Sequence, residues 1–174
     1  MKNIVLTYGC IAGLIVSAWL MIALMIGMEN LGGEMGMVYG FSAMIVGFAF
    51  IFVAVKRYRE QHQENLNFGN AFKIGLYISL IASTLYVISW LIAYYFFVPD
   101  FAEVYANHVL EQLKQDGLST AELAAKTAEM EKFKEMYKNP LIVILYTYLE
   151  ILPVGLIMSL IAAFLLKRKP HPAQ

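Results

Sequence analysis

Glu150 is the residue with the most chemical potential in this sequence, because it is the one ionisable side chain set well inside an apolar run. Counted from Leu141 at 1.5 Å per residue, it lies about 14 Å along a helix, near the middle of a membrane span. An acidic group there costs on the order of 2.5–3.5 kcal/mol on insertion scales, so it is kept for a use or neutralised. Three residues on, Pro153 has no N–H to give and frees the carbonyl of Leu149. Tyr146, one turn earlier, is spaced to donate a hydrogen bond to Glu150. Two readings follow. In the first, Glu150 cycles between charge states and handles protons or cations. In the second, it is a neutral acid that hydrogen-bonds across the bundle and holds helices together.

Other constellations carry less. His62, His108 and His171 all fall outside the apolar runs, so no span offers a haem ligand, and no pair has zinc spacing. Gly40-Phe41-Ser42-Ala43 resembles a rhomboid-type serine motif loosely, without its last glycine and without an intramembrane histidine as base. Asp100 and Asp116 are the only aspartates, and both lie between the third and fourth apolar runs, which leaves no intramembrane aspartyl dyad. Met35 and Met37 beside Gly32, Gly33 and Gly36 suit a soft metal, but a turn between spans explains them at lower cost. Metals, cofactors and enzymatic activity are not expected. Cys10 stands alone, which rules out an internal disulfide and suits a small packing residue.

These residues need a scaffold, and composition says which kind. Of 174 residues 60% are hydrophobic and 15% charged, against roughly 45–50% and 25% in soluble domains, and mean hydropathy is +0.62. Thirteen basic and thirteen acidic residues cancel, giving no electrostatic signature for nucleic acid. Four apolar runs, at about 4–28, 37–55, 71–98 and 141–166, each approach the roughly 20 residues that cross a bilayer. The first is too long for a signal-peptide core and should remain as an anchor. The fold expected over residues 1–174 is all-α: a single four-helix transmembrane bundle.

Charge orients the spans. Lys2, Lys56, Arg57, Arg59, Lys73, Lys167, Arg168 and Lys169 flank one side against Glu60 and Glu64, whereas the first opposite loop holds Glu29 and Glu34 and no basic residue. Basic flanks resist translocation, which places both termini in the cytoplasm. Lys56, Arg57 and Arg59, with Lys167, Arg168 and Lys169, act as topology determinants and suit contact with lipid headgroups.

Residues 99–139 form an extracytoplasmic helical hairpin, amphipathic on both arms. Phe101, Val104, Tyr105, His108, Val109, Gln112 and Leu113 make one stripe, Gly117 stops it, and Ser119-Thr120-Ala121-Glu122 reads as a capping box. Leu123, Thr127, Met130, Phe133 and Tyr137 make the second stripe, ended by Asn139-Pro140. Those faces must pack on each other, on the membrane surface or on a partner. Trp90, Tyr94 and Tyr95 sit where an interfacial aromatic belt is expected. Small residues recur at four-residue steps: Gly9, Gly13 and Ser17; Gly36 and Gly40, then Ala43 and Gly47; Ala71, Gly75, Ser79 and Ser83; Gly155, Ser159 and Ala163. Such series let helix backbones approach closely in lipid, within one bundle or between copies.

Phe68-Gly69-Asn70-Ala71-Phe72-Lys73, Pro99-Asp100-Phe101 and the closing run Pro153-Val154-Gly155-Leu156-Ile157-Met158-Ser159-Leu160-Ile161-Ala162-Ala163 before Lys167-Arg168-Lys169 resemble a numbered domain-of-unknown-function family of small bacterial membrane proteins. The resemblance covers essentially the whole chain, the acidic hairpin included. It implies a four-span bacterial inner-membrane protein and supplies no activity, ligand or catalytic residue. The function expected is that of a non-enzymatic accessory or interaction protein. Its partner would be a second copy or an unidentified membrane or periplasmic protein met through residues 99–139. The alternative is a small proton- or ion-coupled carrier using Glu150.

Overall fold

The computed structural model describes residues 1–26, 33–62 and 66–167, with backbone alone at 33–37 and 62. Arg168, Lys169 and His171 lie outside the described residues. Among the described residues six helices follow one another: α1 (Lys2–Ile26), α2 (Gly33–His62), α3 (Phe68–Phe96), α4 (Phe101–Gln115), α5 (Thr120–Tyr137) and α6 (Pro140–Leu166). Among the described residues there is no strand. Helices α1, α3 and α6, with Val38–Gln61 of α2, are long and apolar enough to cross a membrane. The chain is a multi-pass membrane protein built as a helical bundle.

The spans alternate in direction, and their closest contacts set the register. Gly9 and Gly13 of α1 face Ile81 and Leu85 of α3, so these two run parallel. Gly47 of α2 meets Val16 of α1, while Gly75 and Gly155 pair α3 with α6 in antiparallel sense. Both α1 and α6 therefore have their free ends at one end of the bundle, the terminal end, and the hairpin α4–α5 caps the other. The core between them is mostly aliphatic: Phe48, Ile51, Ile74, Ile78, Ile151, Val16 and Val143 are almost wholly buried.

The α3/α6 seam shows why small residues recur there. Gly75 faces Ser159, and Gly155 faces Ser79. A methyl added to Gly75 would stand 3.0 Å from the Ser159 Cα, and one added to Gly155 would stand 2.8 Å from the Ser79 Cβ. Ser79 Oγ donates to the Gly75 carbonyl at 2.9 Å, Ser159 Oγ to that of Gly155 at 2.7 Å, and the two hydroxyls lie 3.1 Å apart. Each hydroxyl is thus satisfied without water, as hydrocarbon demands. Gly40 departs from the expected series: among the described residues nothing lies within 4 Å of a Cβ placed there, so it marks no close helix contact.

The terminal end is tied by its arginines. Arg57 donates to the Tyr8 hydroxyl at 3.3 Å. Arg59 reaches the Leu166 carbonyl at 3.5 Å, in the last turn of α6, where a cation suits the helix dipole. Lys167 lies 4.4 Å over the Phe164 ring.

The hairpin follows its local signals. Gly117 takes φ +78°, and the N–H groups of Gly117 and Leu118 return to the carbonyls of Lys114 and Leu113, closing α4 with a left-handed residue that glycine adopts without Cβ strain. Ser119 and Glu122 form a reciprocal capping box at the start of α5. The face that α4 buries is rotated from the expected stripe: Ala102 and Ala106 are its buried residues, while Val104 and Gln112 are exposed. The two arms meet through rings, Phe101 on Tyr137 and Tyr105 on Phe133.

The capping box makes the hairpin pH-sensitive in a defined direction. The Ser119 hydroxyl (2.6 Å) and then its backbone N–H (3.0 Å) donate to the Glu122 carboxylate and hold its pKa below the ordinary value. A carboxyl that titrates lower when folded contributes stability in full above the unfolded value, about pH 4.3. That contribution is lost as pH falls through the folded value. Amide-exchange protection in the first turn of α5 should therefore fall on acidification below about pH 4. Glu122→Gln should remove that pH dependence; a turn that frays equally in both proteins would refute the assignment.

Candidate functional site

Helix α6 carries the residues singled out for chemistry, and local sequence places them. Asn139 accepts from the Leu141 N–H at 3.0 Å and starts the helix, with Pro140 at its first position, where no N–H is needed. From there the buried face runs Val143, Thr147, Ile151, Gly155 and Ser159 at four-residue steps. Tyr146, Glu150 and Pro153 fall together away from that face, and all three are exposed on the flank of the bundle. Pro153 sits inside the unbroken helix, withholding the N–H that the Leu149 carbonyl would accept. The flank thus presents a carboxyl group and a carbonyl lacking its helical donor at mid-span.

The expected hydrogen bond from Tyr146 to Glu150 is not made. The Tyr146 ring is taken up by the hairpin instead. It lies 6.4 Å from that of Tyr137 and 6.3 Å from that of Phe133. Glu150 accepts no hydrogen bond from any described residue, so it does not bind the helices of this bundle together by such a bond.

The hairpin docks through an aromatic knot. Trp90 stands edge-on to Phe101 at 4.7 Å, and Tyr94 edge-on to Tyr137 at 5.4 Å. Phe133 lies 4.9 Å from Tyr137, and Tyr105 lies 5.6 Å from Phe133. The Trp90 indole N–H donates to the Tyr137 hydroxyl at 3.0 Å, and the Tyr94 hydroxyl to the Tyr137 carbonyl at 3.4 Å. Burial pushes the Tyr137 phenol up to about 12; the Trp90 donor pulls it back, and the Glu150 carboxylate adds a further upward push. Trp90 and Tyr94 are therefore buried anchors for the hairpin, whereas an interfacial belt had been expected of them. Tyr95, half exposed, alone matches the belt geometry.

Of the expected lipid-facing cations, Lys56, Arg57 and Lys167 are exposed and Arg59 is half-buried against α6. Among the described residues no three His, Cys, Asp or Glu side chains converge as a metal site. Sequence reading passed over Tyr86, which is buried beside a cavity of about 110 Å³ lined also by Val16, Trp19, Leu20 and Met44. It also passed over the Ser17 and Ser83 hydroxyls as polar groups, although both are buried and have no hydrogen-bond partner among the described residues. Their four-residue spacing signalled packing and carried no mark of their polarity.

Neither the curated proteins nor the solved structures contain a match to the chain. A family model described as "Protein of unknown function (DUF4199)" matches residues 7–168, and the chain belongs to that family.

Proposed function

We propose that this protein is a non-enzymatic accessory or interaction protein of a bacterial inner membrane. Its termini are cytoplasmic, and it grips a partner through the hairpin of residues 99–139 and the adjoining flank of α6. The orientation draws support from the basic residues gathered at the terminal end and the acidic first loop opposite. The partner reading rests on one observation. Glu150, at hydrocarbon depth, lies on the outside of the bundle with no hydrogen-bonding neighbour among the described residues. Facing bare lipid it would cost about 2.5–3.5 kcal/mol; a second protein that hydrogen-bonds to it and to the Leu149 carbonyl offsets that cost.

The same exposed carboxyl favours one other reading, a small proton- or ion-coupled carrier in which the flanks of neighbouring copies enclose Glu150. One experiment separates the two. A photo-cross-linker at Leu149, which is 60% exposed, should capture a discrete partner in intact membranes. Glu150→Gln should weaken that capture and leave proton and ion flux in proteoliposomes unchanged. A flux that the native protein supports and the variant abolishes would replace the accessory role with the carrier. Capture of lipid alone at this position would remove the partner.

A further inference from the structure

A second surface has a different chemistry. At the terminal end, between Lys2, Val5 and Leu6 of α1 and Tyr77, Leu80 and Ile81 of α3, runs an open groove of about 310 Å³. Its walls are almost entirely apolar, and Leu6, Tyr77 and Leu80 are substantially exposed within it. Because α1 and α3 run parallel, with Gly9 on Ile81 and Gly13 on Leu85, the register sets Lys73 level with Met1 and Lys2, and Tyr77 level with Val5. Lys73 stands one turn before Tyr77 on the same face of α3 and is exposed, as is Lys2. Two ammonium groups therefore rim one end of an apolar channel whose lining runs about 8 Å along α1, from Met1 to Leu6 at 1.5 Å per residue.

Among the described residues neither lysine has an ion-pair partner. The ion pairs among the described residues, Lys126–Glu129, Lys134–Glu131 and Lys138–Glu135, all lie in the hairpin region at the opposite end. Glu60 is the one described acid at the terminal end, and it sits on α2. By contrast, Arg57 and Arg59 already donate to Tyr8 and to the end of α6. A paired positive rim above an apolar channel, at the depth where a span leaves the bilayer, complements one kind of molecule: a negative headgroup carrying a hydrocarbon chain. We propose that the α1/α3 groove is a site for an anionic phospholipid, its phosphate held between Lys2 and Lys73 and one acyl chain lying over Leu6, Tyr77 and Leu80.

Native mass spectrometry of the full chain in detergent, titrated with phosphatidylglycerol or phosphatidylcholine, tests the site. Phosphatidylglycerol should bind in preference. Lys2→Gln with Lys73→Gln should weaken it about 30-fold, about fivefold per lysine, and erase the preference. Lys56→Gln with Lys167→Gln, equally charged but outside the groove, should leave it within about twofold. Leu80→Trp, which fills the channel and keeps both lysines, should lower the affinity for both lipids and gives a result even where the charge variant fails to fold. Equal losses from the two lysine pairs would reduce the site to a diffuse basic surface and overturn the proposal. So would adducts whose mass is a second copy of the chain.

Discussion

Tyr137→Ala is expected to release the hairpin from the bundle at a cost of about 3–5 kcal/mol, the range for deleting a buried aromatic side chain. Tyr137 is the buried residue of α5, and its ring touches Tyr94, Phe101, Phe133 and Tyr146, which come from three other parts of the fold as well as its own helix. Its hydroxyl also accepts the Trp90 N–H. Truncation therefore removes ring contacts and leaves a buried donor without a partner, two costs that add. Tyr137→Phe isolates the second: the rings stay, and the stranded indole N–H costs about 1–3 kcal/mol. Unfolding in mixed detergent micelles measures both, and limited proteolysis within 99–139 should accelerate for the alanine variant. Should alanine prove no worse than phenylalanine, the rings do not hold the hairpin.

Gly75→Val should separate α3 from α6, destabilising the bundle by roughly 2–3 kcal/mol, toward the upper end of what overpacking costs. The position is unforgiving because one neighbour of the added carbon is Ser159 Cα, a backbone atom that cannot rotate away. The branched side chain adds a second obstruction and displaces the hydroxyl pair at the seam. Gly40→Val is the matched control, since the space around Gly40 is open and the change removes backbone freedom from the unfolded chain. Its stability should stay within about 0.5 kcal/mol of the native protein. Equal losses at the two positions would mean that glycine matters for helix flexibility rather than for backbone approach.

Much of this architecture was legible in the residues. The four apolar runs mark the spans because hydrocarbon imposes a length and forbids charge, and local pairs such as Ser119 with Glu122 and Gly117 with Leu118 dictate the hairpin turn without reference to the rest. The series through Gly75, Ser79, Gly155 and Ser159 identifies faces that approach closely, though spacing alone is silent on which helix each one meets; Gly40 shows that the spacing also occurs without a neighbour. What could not be read depends on three-dimensional placement. Trp90 and Tyr94 occupy positions suited to a belt and to a core, and the decision falls to α5, whose Tyr137 covers them. Tyr146 and Glu150 share a helical strip, yet the Tyr146 ring joins Phe133 and Tyr137 of the hairpin instead. The carboxyl of Glu150 was conspicuous in the sequence, while its outward aspect depends on the rotation of α6 that buries Gly155 and Ser159.

The reciprocal α3/α6 seam also bears on the order in which the protein is made. Helix α3 is made with Gly75 and Ser79 still lacking their counterparts, and α6 arrives only after some forty residues of hairpin have been added. Until then the nascent chain holds an unfinished groove along α3. Arrival of α6 closes it, so the tightest backbone contact of the bundle is also among the last to form.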